Sequence, residues 1–226
     1  MRMTCVRGHH IWPAPLTQNS VVVDAGAHRG EFSAEIIRRF GCQCHLIEAN
    51  PELAKNLTVA GAASITAAAL GACDGRGTLH VSENLEAAGL FNASAATTGV
   101  EVETISLATL MERLGITEID ILKLDIEGAE FELFVSTPDD VLRRIGQITV
   151  EFHDFKLYFR GRGLFENARE RLIALGFICC NMAFRTHGDV LFLNPGRTGL
   201  RLWQSFYARW FARCDAKLRK SLRGQR

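Results

Sequence analysis

Asp24, Gly26 and Gly30 follow three β-branched residues in the stretch VVVDAGAHRGEFS, residues 21–33. Glu48 comes eighteen residues after Gly30, at the end of the apolar run CHLIE. An acid and two glycines between a strand and a helix make a place for a small ligand. Parallel sheets bind ligands beyond the carboxyl ends of their strands, and a helix start offers unpaired N–H groups. Gly26 lets backbone approach closely and can take φ > 0. Glu48 can accept hydrogen bonds from both hydroxyls of a ribose. A dinucleotide loop reads G-x-G-x-x-G and needs no acid ahead of it. Here the first glycine of that pattern is missing, and Asp24 stands nearby, where it would repel a pyrophosphate. An acid there suits a ligand that carries positive charge, such as the amino group and sulfonium of S-adenosylmethionine (SAM). The plainer alternative is that Asp24 caps the helix and the glycines only turn the chain.

A second group of charged residues sits where apolar ones are expected. In ILKLDIEGAEFELF, Lys123 interrupts a strand whose two faces should both be covered. Ile121, Lys123 and Asp125 share a face at period two. A buried lysine needs a carboxylate partner, and Asp24 and Glu151 on the flanking strands are the candidates. Asp125 and Glu127 follow at the strand end, with Gly128 turning the chain. Glu130 falls in the first helical turn, where an acid offsets the helix dipole. Glu151 and His153, in ITVEFHD, stand two apart at the end of the next strand. Asp125, Glu127, Glu151 and His153 are therefore expected to converge. His153 titrates in the range of a general base, and Asp125 could serve as the base or orient an acceptor. One histidine among carboxylates could also hold a divalent ion, but no fixed ligand spacing supports it, and no metal is assigned. His9, His10, His45, His80 and His187 read as surface or packing residues.

Alternating strand and helix patterns position these groups. Strands are expected at SVVVDAG, CQCHLIEAN, ASITAAALG, VEVETIS, IDILKLDIEG and QITVEFHDF. Helices are expected at EFSAEIIRRFG, PELAKNLTVAG, LATLMERLG, AEFELFVS and LFENARERLIALG. Asn50 before Pro51 reads as an N-cap with proline at the first helical position. FICCN and DVLFLNP close the chain as two edge strands. The whole describes an α/β domain with a mainly parallel sheet and helices on both faces. The segments GHHIWPAP and 72–99 are irregular, apart from a turn and short extra strand expected at DGRGTLHVSE, and are expected to cover an acceptor pocket.

Composition narrows the class further. The chain has 226 residues, 47% hydrophobic and 23% charged, enough for one globular α/β domain. A net charge of +1 gives no sign of nucleic-acid binding. The seven cysteines form no Cys-x-x-Cys pair, so neither a zinc cage nor a disulfide framework is indicated, which suits a cytoplasmic location. No apolar run has the length of a membrane span, and the start has no signal-peptide core.

In order along the chain, VVVDAGAHRGEFS, HLIEANPEL, AAALGACDGRGTL, TISLATL, ILKLDIEGAEFELF and ITVEFHD resemble the FkbM-type methyltransferases. LKLDIEGAE is the most specific piece. The resemblance covers residues 20–195 and implies a Rossmann-like class I fold, SAM as cofactor and, in most members, O-methylation. It further implies that Asp24, Gly26, Gly30 and Glu48 hold the methionine and ribose parts of SAM. Ala68 and Ala69 would line the adenine. Two departures stand out. Ala49 replaces the usual proline of EPN, and His28 replaces a smaller polar residue that contacts the cofactor carboxylate.

The expected function is thus methylation of a hydroxyl on a small molecule or sugar, with Asp125, His153, Glu127, Glu151 and Lys123 at the reacting centre. Three alternatives stay open: an N- or protein methyltransferase, a non-catalytic SAM-binding module, and a dinucleotide-dependent oxidoreductase. The methyltransferase domain should span residues 1–196. Residues 197–226 form a basic amphipathic tail with nine Lys/Arg and one acid, a local +8 that leaves the rest at −7. Trp203, Phe206, Trp210, Cys214 and Leu218 fall on one helical stripe. Its first half, through Cys214, is expected to dock on the domain by that stripe. Its basic end is expected to attach weakly to anionic membrane. In vesicle co-sedimentation at low salt, the full chain should pellet with anionic vesicles more than a chain lacking residues 215–226. Equal pelleting would leave the tail a purely structural role.

Overall fold

The computed structural model describes residues 2–82, 88–89, 97–154, 163–183, 186–210 and 214. The chain opens with a hairpin of β1 (Thr4–Val6) and β2 (His9–Ile11), turned through Arg7 and Gly8 at positive φ. Then follow β3 (Val21–Ala25), α1 (Glu31–Phe40), β4 (Gln43–Glu48), α2 (Pro51–Asn56), β5 (Ser64–Ala67) and β6 (Ala69–Leu70). Next come β7 (Gly75–Ser82), β8 (Ala88–Gly89), β9 (Thr97–Ile105), α3 (Leu107–Leu114) and β10 (Ile119–Leu124). The chain continues through α4 (Glu130–Ser136), α5 (Asp139–Leu142), β11 (Ile145–Val150), α6 (Leu164–Ala174), β12 (Ile178–Asn181) and β13 (Val190–Leu193). It closes with α7 (Pro195–Thr198) and α8 (Leu202–Trp210).

The main sheet has seven strands in the order β12-β13-β11-β10-β3-β4-β5. The five strands from β11 to β5 are parallel, and β13 runs antiparallel between β11 and β12. This is the expected Rossmann-like α/β architecture. From β3 the chain builds outward to β4 and β5, and later returns to place β10 on the other side of β3. The switch point where such sheets bind ligands therefore lies between β3 and β10.

Helix patterns act as the sequence implies. Phe32 and Ile36 of α1 are buried, Ile37 and Phe40 pack beside them, and Gly41 ends the helix at φ 69°. The Asn50 side chain caps α2 by accepting from Glu52 N at 3.0 Å. Two expectations are corrected. The second helix stops at Asn56 instead of running to Gly61, because Leu57 turns extended and, with Val59, packs onto Gly30. The third strand is two strands, β5 and β6, and β6 leaves the main sheet to pair with β9 in a separate four-stranded sheet, β6-β9-β7-β8. The segment 72–99 is thus largely β-structure where it is described; 83–87 and 90–96 lie outside the described residues.

Side chains of Gln147 and Asp189 fasten the N-terminal segment to the sheet, Asp189 by accepting from His10 N at 3.1 Å. Gln147 of β11, fully buried, accepts from Trp12 N at 2.9 Å and donates to Trp12 O at 3.1 Å. A buried amide that satisfies both backbone groups of a buried residue fixes the register of the segment.

The docking of α8 is also corrected. Trp203, Phe206 and Trp210 are 57%, 59% and 65% exposed, so the aromatic stripe points outward. The helix rests instead on Ala208 and Tyr207, against Ile178, Cys180 and Leu191 of the sheet edge. Ala208, at 2% exposure, brings the helix backbone close enough for the Cys180 thiol to reach its carbonyl at 3.2 Å. A small residue allows that approach where a tryptophan would hold the helix off. Residues 211–213 and 215–226, including the basic end, lie outside the described residues. No helix among the described residues is long and apolar enough to cross a membrane.

Gly26 leaves no room for a side chain against the neighbouring backbone. A Cβ there would stand 1.8 Å from the Asp125 carbonyl oxygen, at a φ of +74°. Gly71 has φ outside the positive region and nothing within 4 Å. Gly26→Ala should therefore destabilise the protein by at least about 2 kcal/mol in urea unfolding, and Gly71→Ala should be close to neutral. Equal stability of the two variants would contradict the packing of β3 against the end of β10.

Candidate active site

At the switch point, Lys123 of β10 lies directly opposite Asp24 of β3 in register. Its ammonium is 3.2 Å from Asp24 Oδ1 and donates to the carbonyls of Gly26 at 2.6 Å and Ala25 at 3.3 Å. The partner is Asp24, not Glu151. Asp24 is fully buried, and its Oδ2 accepts from Ser33 Oγ of α1 at 2.7 Å. Its Oδ1 has no hydrogen bond and is held by the ionic contact alone. Lys123 thus ties the strand end, the glycine loop and, through Asp24, the first turn of α1 into one unit. No part of Asp24 reaches the surface, which corrects the expectation that its charge meets a cationic ligand; it acts on the site through Lys123 and the loop.

The loop itself is built around Glu48. Glu48 Oε2 accepts from His28 N at 2.7 Å, and Oε1 accepts from Asn50 N at 2.8 Å. His28 supplies its amide from a left-handed conformation, φ 51°. Its role here is a backbone one. Each Glu48 oxygen keeps a lone pair for a further donor. The Asn50 Nδ2 group, in the same turn, is buried without a hydrogen-bond partner. An oriented carboxylate beside an orphaned donor fits the hydroxyl groups of a nucleoside ribose. Gly26 and Gly30 make the loop possible by packing against the chain: Gly26 meets Asp125 and Gly30 meets Val59 and Leu57. Ala68 and Ala69 are buried at 1% and 4%, with Ala68 N bonded to the Glu48 carbonyl at 3.1 Å. Both belong to the hydrophobic core.

The second constellation converges as expected beyond β10 and β11. His153 Nε2 lies 3.7 Å from Asp125 Oδ1 and 3.5 Å from Glu127 Oε2. Its Nδ1 meets Glu130 Oε1 at 3.0 Å. Glu130 is fully buried and also accepts from the amides of Ile126 at 3.0 Å and Gly128 at 2.9 Å. This corrects the reading of Glu130 as a helix-dipole acid. It sits beneath the imidazole and fixes its orientation. With Nδ1 held by Glu130, Nε2 is turned toward Asp125 and Glu127. The turn that carries Glu127 is strained, with φ 59° at a non-glycine residue, which aims its carboxylate back at His153.

Two further groups complete the cluster. Glu151 has its pKa raised, first by burial and then by the charge of Asp125. His9, from the N-terminal hairpin, is 4% exposed, and its Nε2 lies 4.0 Å from Asp125 Oδ2. Burial, reinforced by the charge of Lys123, pushes its pKa down to about 4, so the ring is neutral near pH 7. Sequence reasoning missed His9, because nothing in the spacing of a short N-terminal hairpin links it to a strand more than a hundred residues away. The other histidines behave differently. His10 pairs with Asp189 at 2.5 Å, His45 with Ser64 at 2.8 Å, and His187 with Asp154 at 2.5 Å while stacking on Phe165.

The arrangement joins a ribose-compatible carboxylate, a cation-anchored loop and an oriented imidazole among carboxylates. Residues 24–179 match the model of the methyltransferase FkbM domain. No curated protein matches the chain. Among solved structures, it is similar to precorrin-6y C5,15-methyltransferase from Geobacter metallireducens GS-15. The two are 15% identical over 79% of this chain and 80% of that one, with a TM-score of 0.39. Because the family model spans well over half of the sequence and includes both constellations, the chain belongs to the FkbM-domain methyltransferases.

Proposed function

We propose that the protein is a SAM-dependent O-methyltransferase acting on a hydroxyl of a small molecule or sugar. The observation that carries this reading is the buried Glu130–His153 pair, which turns the second imidazole nitrogen toward Asp125 and Glu127 beyond the end of β10. When bound, SAM supplies a methyl group made electrophilic by its sulfonium.

Glu48 would receive the ribose hydroxyls, with the backbone of residues 26–30 against the methionine part. Lys123 holds that loop in place through Asp24 and the Gly26 carbonyl. His153 Nε2 would take the proton of the acceptor hydroxyl as that oxygen accepts the methyl group, with the bonding electron pair leaving on the cofactor's sulfur. Glu130 then faces an imidazolium, which its buried carboxylate stabilises. Asp125 and Glu127 orient the hydroxyl. Alignment supplies most of the acceleration, and proton removal adds roughly 10²–10⁴. Substrate and base therefore have separate supports: Glu48 serves binding, and His153 serves the chemical step.

Two variants separate these roles. Glu48→Ala should weaken SAM binding in calorimetry by about 1.5–3 kcal/mol, the contribution of a charged hydrogen bond. His153→Ala should bind SAM as the wild type does. It should transfer labelled methyl at least about 100-fold more slowly to an acceptor found by screening hydroxylated small molecules and sugars. SAM affinity unchanged in Glu48→Ala, or an unaltered single-turnover rate in His153→Ala, would overturn the corresponding assignment.

A further inference from the structure

Five carboxylates, from Asp24, Asp125, Glu127, Glu130 and Glu151, gather at this site, and Lys123 is committed to Asp24 and two carbonyls. One group within the cluster does not belong to the FkbM-matched segment. His9 precedes residue 24 and reaches the site only because the hairpin folds over the ends of β10 and β11. Its side chain is 5% exposed. The ring is held in place by the edge of Phe32, at 5.7 Å between centroids, and by Thr149 Oγ1, 3.4 Å from Nδ1. That leaves Nε2 aimed at Asp125 Oδ2 from 4.0 Å, too far for a hydrogen bond, and it makes none among the described residues. Glu151, half-buried, likewise has neither a hydrogen bond nor a salt bridge among the described residues. One ligand atom from each of His9, Asp125 and Glu151 lies within 4.8 Å of the others. A buried imidazole and two carboxylates stand too far apart to bond each other and close enough to share an ion.

We infer that His9, Asp125 and Glu151 form a binding site for one divalent transition-metal ion. One nitrogen and two oxygen donors suit manganese, iron, cobalt or zinc better than calcium or magnesium, which favour oxygen alone. Asp125 can serve the ion through Oδ2 while Oδ1 stays turned to His153. Lys123 lies 3.9 Å from Asp125 Oδ2 and donates no hydrogen bond to it, so that oxygen remains open to an ion. The three ligands come from β2, the end of β10 and the end of β11, so the ion would clamp the hairpin over the crevice. Under the methyl-transfer reading, on which this role rests, the ion would also take the acceptor oxygen as a ligand and lower the pKa of its hydroxyl.

The test uses the full chain and manganese alone. Titration followed by the paramagnetic resonance of free Mn²⁺ should show one ion held per chain, and pulsed resonance should show coupling to one histidine nitrogen. His9→Gln and Glu151→Gln should each weaken binding at least about tenfold, and His9→Gln should abolish the nitrogen coupling. His153→Ala should keep both. Thermal melting in EDTA checks that each variant folds, and Glu151→Gln carries the decision if His9→Gln does not. Three outcomes overturn the site: no Mn²⁺ bound by the wild type, unchanged affinity and coupling in the folded variants, or loss in His153→Ala instead. SAM calorimetry in EDTA is read separately. SAM binding without Mn²⁺ binding sinks the metal site alone; Mn²⁺ on this triad without SAM binding sustains the site and removes the functional reading.

Discussion

The ion pair between Lys123 and Asp24 is the interaction on which the rest of the site depends. Both groups are almost wholly out of water, one on each side of the switch point. Losing either would strand a buried charge at a cost of about 3–5 kcal/mol. The pair is tolerable because the remaining valences are filled. The ammonium donates to two loop carbonyls, and the carboxylate accepts from Ser33. Those added bonds also determine where the glycine loop sits. Gly26 has to meet the Asp125 carbonyl with no Cβ between them, so the loop and the strand end that carries Asp125 are positioned by one another. The glycine loop and the cluster beyond β10 and β11 therefore share a single anchor.

Much of this was readable in the sequence, for physical reasons. Lys123 in an apolar strand demanded a partner, and strand period together with parallel neighbours limited the choice to two carboxylates. Asp125, Glu127, Glu151 and His153 were expected together because each lies at the end of one of two adjacent parallel strands. What escaped involves contacts that no local pattern encodes. Glu130 looked like an ordinary first-turn acid, since its burial depends on the tight turn at residues 126–129 folding the carboxylate inward. His9 belongs to a hairpin placed by distant residues, Gln147 and Asp189. The stripe on α8 was periodic, but periodicity reports a face and not what the face meets. Ala208 on the other side fitted the edge strand more closely than the aromatic residues could.

The N-terminal hairpin and the strained turn at Glu127 have a common effect. Each brings a polar side chain to the crevice from outside the regular sheet. Glu127 does so by a left-handed backbone at the end of β10, and His9 by a two-residue turn at Arg7 and Gly8. Asp125, Glu151 and His153 lie within one to three residues of the ends of β10 and β11. Precision thus comes from the strands, and the short irregular elements adapt the mouth of the site.

The central claim is that the glycine loop, anchored from beneath by Asp24 and Lys123, forms with Glu48 a pocket for SAM in place of a pyrophosphate cofactor. Calorimetric titration of the wild-type chain with SAM and, separately, with NAD⁺ tests it most directly. Saturable binding of one SAM per chain, with no heat from NAD⁺, is the predicted result. Saturable binding of NAD⁺ with none of SAM would contradict it.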